Sequence, residues 1–361
     1  MLASPSMHAG GAERVLTLLV AGLVERGHEV TLIAPPGPRD ADLQGIPHTR
    51  LTLTDGGRRL GATARAAMQL ALAIRRVRPE VVHVQNARIT AMAVLAARLA
   101  RPRGRAPVLS TFHGVLPSEY ALAARLLRLA DHVVCVSGDL REEIIGAGLP
   151  AARASVIYNA VALAEPLSPV RRAALDTELG LQGAPVAAIV ARIVPQKAHD
   201  RFIRAALLTS ERVPGARFLI VGEGPLRAQT ETAVRAAGLA DRVIFTGVRA
   251  DARELIARAD VLVFSSDWEG LSIAALEAMA AETPVLSTDV QGMRELLGGG
   301  AGEIVPLDDG SALGDRLAEL LADPGRRGAM GGAGRELIES KHSSAAMTDA
   351  YEQRYRRLVE A

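Results

Sequence analysis

Short apolar runs alternate with longer stretches of helical periodicity along the whole chain. In the first half, runs at 30–34, 81–84, 108–111 and 133–136 read as buried strands, with helical patterns near 11–26, 61–77, 88–100, 118–130 and 139–147. In the second half the strand-like runs are 186–190, 218–221, 243–245, 261–264, 285–287 and 303–305, again separated by helical patterns. Strand–helix alternation predicts parallel sheets with helices on both faces. Two such series predict an α/β protein of two doubly wound domains, 1–165 and 166–341, with the proline-bearing stretch 162–184 as the linker. The last segment, 342–361, carries Met347, Tyr351, Tyr355 and Leu358 at helical spacing, so a terminal helix with an apolar stripe is expected to pack back on the first domain. Ligands of open α/β sheets bind beyond the carboxyl ends of the strands, which puts the expected ligand in a cleft between the two domains. One irregularity stands out. Only residues 1–7, with Pro5 and two serines among them, precede the turn at Gly10-Gly11, so the first strand is expected to be truncated or missing.

Composition narrows the function classes. At 361 residues and 49% hydrophobic content there is material for two cores, and 23% charge argues against disorder. No apolar run reaches the roughly 18–20 residues that span a bilayer, and no signal-peptide pattern is evident. The single cysteine, Cys135, lies in an apolar run and reads as a buried thiol of a reducing, cytoplasmic compartment. Aromatics are 3%, poor material for base stacking, so nucleic acid is not an expected partner. Net charge is +2 but uneven: residues 1–165 hold 19 arginines and no lysine against 13 acids, net +6, leaving the remainder at −4. That asymmetry fits either a solvated surface of mixed charge or a peripheral contact with anionic membrane, at the inner face of the cell membrane. Only Lys197 and Lys341 interrupt the arginine usage, so each lysine is a candidate for a place that needs a compact point charge.

Four loops at strand ends hold candidate chemistry. Gly10 and Gly11 precede an amphipathic helix, where they serve either as a plain turn or as a close backbone approach to an anion or sugar. His113, after the run 108–111, is either structural or positioned to hydrogen-bond a ligand. Arg192 and Lys197 bracket a turn after 186–190, and such a pair near a helix start can neutralise a diphosphate. The fourth loop is the most informative. Glu269 and Gly270 follow the run 261–264, a helix is expected from about Leu271 and Ser272, and Glu277 lies about two turns into it. A helix N-terminus suits phosphate, and acceptor-only carboxylates beside it suit hydroxyls, which together describe a nucleotide sugar.

In combination these residues resemble the retaining glycosyltransferases of family 4 (group 1), which have the GT-B fold: two Rossmann-like domains facing across a cleft. The matching residues are Gly10-Gly11-Ala12-Glu13, Phe112-His113-Gly114, Val136-Ser137, Val156-Ile157-Tyr158-Asn159, Arg192 with Lys197, Val221-Gly222-Glu223-Gly224-Pro225, and the spaced pair Glu269 and Glu277. The resemblance implies a hexosyltransferase-type enzyme. It would move sugar from a nucleotide-diphosphate donor to a glycan, polysaccharide or lipid-linked acceptor, with retention and with neither metal nor cofactor. It implies that Arg192 and Lys197 hold the diphosphate, helped by N–H groups after Gly270. Glu277 would bind ribose, Glu269 the donor sugar, His113 the transferred sugar, and Gly10-Gly11 would line the reaction centre. Asp308-Asp309 are read as a turn and not as a metal site. The chain departs from the family pattern at Ala191, Ala198 and Ala160, where glycine is usual, and at Leu271, where phenylalanine is frequent. Two other readings stay open: a nucleotide-sugar epimerase of the same fold, and a non-catalytic nucleotide-sugar-binding protein.

Overall fold

The computed structural model describes the chain apart from residues 8–9, 38–42, 44, 51–52, 54–59 and 164. The chain forms two compact units: Met1–Ala160 joined by Ser344–Ala361, and Val161–Ser343.

The first unit runs β1 (Leu2–Ala3), α1 (Gly11–Glu25), β2 (Leu32–Ala34), β3 (His48–Arg50), α2 (Leu60–Val77), β4 (Val82–Val84), α3 (Ala87–Ala100), β5 (Val108–Phe112), α4 (Tyr120–Leu127), β6 (His132–Cys135), α5 (Gly138–Gly146) and β7 (Ala154–Val156). Its described strands make one parallel sheet in the order β3-β2-β1-β4-β5-β6-β7. The first strand is short but present. Leu2 and Ala3 are fully packed at the centre of the sheet, with Leu2 in register with Leu32 on one side and His83 on the other. The ladder continues past it through Ser4 N–H to Ile33 O and Gln85 N–H to Ala3 O. The apolar alternation did not reveal β3 and β7. Both are three-residue strands at the sheet's edges, too short to make an apolar pattern. Ile33, Leu70, Ile74, Val84 and Ile89 knit β2 and β4 to α2 and α3 in the core of this unit.

The second unit runs α6 (Pro169–Glu178), β8 (Val186–Val190), α7 (His199–Arg212), β9 (Arg217–Val221), α8 (Arg227–Ala236), β10 (Val243–Gly247), α9 (Ala252–Arg258), β11 (Val261–Phe264), α10 (Ile273–Ala280), β12 (Val285–Thr288), α11 (Met293–Leu297), β13 (Gly302–Val305), α12 (Ala312–Ala322) and α13 (Pro324–Lys341). The described strands are parallel in the order β10-β9-β8-β11-β12-β13. Ile189, Phe202, Phe218, Ile220 and Val263 fill its core, with the Phe202 and Phe218 rings edge to face at 6.3 Å between centroids. The stretch read as a linker is not all linker. Ser168 caps the Arg171 N–H and Pro169 takes the first helical position, so α6 forms inside it, and Arg171 pairs with Asp251 and Glu254. The chain closes with α14 (Ser344–Glu360), which packs against α1 of the first unit.

Each sheet contains one place where neighbouring strands leave the chain order in opposite directions: between β1 and β4 in the first, between β8 and β11 in the second. Loops leaving the carboxyl ends on either side of such a point part company, and the crevice they leave is where open α/β sheets take ligands.

Candidate active site

In the second unit the two loops at the switch point are bound to one another. After β8 the chain passes through Ala191–Val194 and a single 3-10 turn, Pro195–Lys197. After β11 it passes through Ser265–Ser272 into α10. Ser265 Oγ donates to Lys197 O at 2.8 Å, Asp267 N–H to Gln196 O at 2.9 Å, and Gln196 Nε2 to Trp268 O at 2.9 Å. Arg201, on the first turn of α7, donates to Ser265 O and to Asp267 Oδ1.

This scaffold brings Lys197 and Glu269 together. Lys197 Nζ lies 2.5 Å from Glu269 Oε1, and the same oxygen accepts from Ser266 Oγ at 2.5 Å. The Glu269 carboxylate is only 5% exposed, so the pair is desolvated and its partners matter. Arg192 stands on the same loop as Lys197. It is exposed and, among the described residues, its guanidinium makes no ion pair.

Glu277 is 8% exposed and sits one turn into α10. The expectation of two turns is corrected, because the helix opens at Ile273 and residues 270–272 remain in the loop. Its carboxylate accepts from Arg253 Nε at 3.0 Å, a partner on α9 that sequence spacing did not reveal. Ser272 is the N-cap of α10 but its side chain caps none of the first-turn N–H groups. A helix N-terminus without a side-chain cap is a favourable setting for an anion. Leu271 is buried and anchors the loop.

Glycines set the backbone of both loops. A Cβ at Gly222 would run into Ala191 O, and one at Gly224 into Ile193 O, so the loop after β9 can support the Arg192 loop only with glycine at these places. The contact is sealed by Ile193 N–H to Glu223 O at 2.9 Å. Gly292, at φ +71, lies against Gly270 O in the same way and backs the glutamate loop. Ala198, where the resemblance expects glycine, adopts the left-handed φ of +43 and stores strain directly after Lys197. Next to it His199 is buried with both ring nitrogens unpartnered among the described residues, and burial, helped by the Lys197 charge, lowers its pKa to about 4.

In the first unit, Gly10 is the N-cap of α1 and Gly11 its first residue, while His8 and Ala9 lie outside the described residues. Glu13, in the first turn, accepts from Ser6 Oγ and covers Gly10. His113 follows β5. Its Nε2 is 2.9 Å from Gln85 Oε1, just beyond the end of β4, and burial lowers its pKa to about 4, so it is neutral at physiological pH. Gln85, Arg253 and Gly292 are site-forming residues that spacing alone did not expose, whereas Gln196, between Arg192 and Lys197, and Ser266, three residues before Glu269, had visible neighbourhoods.

Asp309 accepts from the N–H groups of Ser311 and Ala312 and so organises the turn into α12, as its place before Gly310 suggests.

Comparison with known proteins now decides the class. Residues 9–165 match the model described as Glycosyltransferase Family 4, and residues 172–337 match that of Glycosyl transferases group 1. The chain is a family 4 glycosyltransferase. It is 34% identical over 260 residues to the GDP-mannose-dependent alpha-(1-6)-phosphatidylinositol monomannoside mannosyltransferase of Mycolicibacterium smegmatis, covering 67% of this chain and 68% of that one. It is 29% identical over 346 residues to the lipopolysaccharide core biosynthesis glycosyltransferase LpsE of Rhizobium meliloti, covering 95% and 94%. Among solved structures, Anabaena HepE in complex with UDP and glucose superposes with a TM-score of 0.86 at 20% identity, over 99% of each chain. The fold of this glycosyltransferase is therefore GT-B, with two Rossmann-like domains, and the chain is an enzyme of the sugar-transferring class.

Proposed function

We propose that this glycosyltransferase moves a sugar from a nucleoside-diphosphate donor to a glycan or lipid-linked acceptor, with retention at the anomeric carbon. The observation that carries the reading is the juxtaposition of Lys197 and Glu269 at the switch point of the second unit, with Arg192, exposed on the same loop, making no ion pair among the described residues. Cations for a diphosphate and a carboxylate for sugar hydroxyls thus adjoin, as the diphosphate and the sugar adjoin in the donor. In this reading Arg192, Lys197 and the α10 N–H groups take up the charge of the departing diphosphate, so the chemistry is served without a resident metal or cofactor. Glu277, steadied by Arg253, grips the ribose. Glu269 binds the hydroxyls of the reacting sugar, and in the first unit His113 and the Gly10-Gly11 turn are the candidate sugar contacts.

The acceptor class is supported by two relatives whose names point to a phosphatidylinositol mannoside and to lipopolysaccharide core. A peripheral membrane contact fits the first unit. Its helices α2 and α3 pack together and expose Met68, Leu72, Leu95 and Leu99 beside Arg65, Arg98, Arg101 and Arg103. Among the described residues no helix is long and apolar enough to cross a membrane, so attachment in this reading is interfacial.

The test is a panel of UDP- and GDP-sugars assayed with and without acceptor lipid extract, with the anomeric configuration of the product read by NMR. Acceptor-dependent release of nucleoside diphosphate with the donor's anomeric configuration kept supports transfer with retention. Release of free sugar or its epimer without acceptor speaks for the epimerase reading, and binding without turnover for a non-catalytic protein.

A further inference from the structure

We propose that Gln85 is a positioning residue that holds His113 as its Nε2–H tautomer and so presents the Nδ1 lone pair to the reacting sugar. The arrangement originates in the register of β4. Side chains alternate across a strand, so His83 and Gln85 project to the same side, toward the neighbouring β5 and the returning α14. His83 is buried, with Nδ1 2.7 Å from Tyr355 Oη and Nε2 2.7 Å from Thr111 Oγ1. Thr111 Oγ1 is in turn 3.0 Å from Tyr351 Oη. Gln85 links this buried group to the sugar-side histidine: its Nε2 is 3.1 Å from His83 Nε2, and its Oε1 is 2.9 Å from His113 Nε2.

With the Gln85 nitrogen turned to His83 and its oxygen to His113, the amide sets where the protons lie. An amide nitrogen only donates and an amide oxygen only accepts. The Gln85 nitrogen therefore needs a lone pair on His83 Nε2, which puts the His83 proton on Nδ1, facing Tyr355 Oη. The Gln85 oxygen needs a proton on His113 Nε2, which leaves Nδ1 of His113 as an acceptor. Both imidazoles are neutral, because burial lowers His83 to about 3 and His113 to about 4. A neutral histidine in solution exchanges its proton between the two nitrogens. Here one of them is committed, and the other can receive a hydroxyl proton from the sugar in one orientation only. The chain of bonds runs from α14 through β4 to the loop after β5, so the terminal helix bears on the orientation of His113 without touching the sugar.

This rests on the reading of His113 as a sugar contact, but its test does not depend on activity. In full-length protein labelled with 15N-histidine, two-bond 1H–15N correlation spectra at neutral pH report the tautomer, with His113 assigned by comparison with His113→Gln. The expected wild-type result is a single Nε2–H form. Gln85→Met, which keeps length but loses both bonds, should give a mixture of tautomers and lower donor turnover about tenfold at little-changed donor KM. Gln85→Glu, which keeps the acceptor, should restore the Nε2–H form. A wild-type His113 in the Nδ1–H form, or a Gln85→Met spectrum identical to wild type, overturns the proposal. If Gln85→Met fails to fold, the wild-type spectrum still decides. If the tautomer is as stated but His113→Gln keeps full turnover, the sugar contact is wrong and the positioning is right.

Discussion

Glu269 and Glu277 flank the start of one helix, yet different cations hold them. Glu269 shares Lys197, which also serves the diphosphate in the proposed function, so donor binding must divide Lys197 between two anions. Glu277 pairs with Arg253, a different cation on α9. This separation predicts different kinetics. Glu277→Gln should weaken nucleotide binding by about tenfold or more, the loss of a charged hydrogen bond of ~1.5–3 kcal/mol, and leave turnover of bound donor little changed. Glu269→Gln should mainly slow turnover, because contacts to the reacting sugar strengthen in the transition state. Steady-state kinetics with a working acceptor would distinguish these outcomes, and two variants with wild-type constants would refute both roles. Ala198 offers a stability test at the same scale. Its φ of +43 is strained for alanine and free for glycine, so Ala198→Gly should raise stability by up to about 1 kcal/mol in thermal unfolding. A lower Tm would show that the buried methyl outweighs the strain. Lys197 was legible from the rarity of lysine and Glu269 from its place after an apolar run. Arg253 was not legible, because a contact across 24 residues of chain between two helices leaves no periodicity to read.

At the scale of elements, strands that carry an apolar run announced themselves, and all six of the second unit, the partly buried edge strands β10 and β13 included, lie within a residue or two of those runs. The exceptions have physical causes. β1 is too short to form a pattern and gains its order from pairing on both sides, whereas β3 and β7 are short edge strands. α6 hid behind its prolines, one of which is the residue that starts it. α14 showed its stripe, but not that Tyr351 and Tyr355 spend their hydroxyls on Thr111 and His83. Tyr351→Phe should therefore destabilise the first unit by about 1 kcal/mol by urea unfolding, one net hydrogen bond, and no change would remove α14's polar anchoring. Buried histidines add an acid sensitivity. His113, His132 and His199 are each lowered from 6.5 to about 4 by burial. The folded state then binds fewer protons than the unfolded one, so stability is full above about pH 6.5 and falls as pH drops toward about 4. Melting curves at pH 7, 6 and 5 should show a falling Tm, with His199→Gln flattening the slope. A Tm independent of pH over that range would contradict the neutral buried state.

For the whole molecule, the Arg excess of residues 1–165 was visible in the sequence, but which arginines are available was not. Arg105 is committed to Asp131 through two hydrogen bonds of 2.6 and 2.7 Å, so it is not available to a membrane surface. Arg58 and Arg59 lie outside the described residues. Arg98, Arg101 and Arg103 remain exposed. If this face docks on anionic lipid, each well-placed cation adds on the order of 1 kcal/mol, weakened by salt. Co-sedimentation with phosphatidylserine or phosphatidylglycerol vesicles should be strong at low salt, weak at high salt, and reduced in Arg98→Glu/Arg101→Glu. Equal binding to neutral vesicles, or none at low salt, would favour a soluble acceptor. The central claim is nevertheless the donor site of the second unit, and calorimetry with UDP, GDP and the corresponding nucleosides on wild type and Lys197→Ala tests it most directly. The account predicts that at least one diphosphate binds wild type, that Lys197→Ala weakens it about tenfold or more through loss of a charged contact, and that nucleoside binding is unchanged. Binding of neither diphosphate, or equal losses for nucleoside and diphosphate, would contradict it.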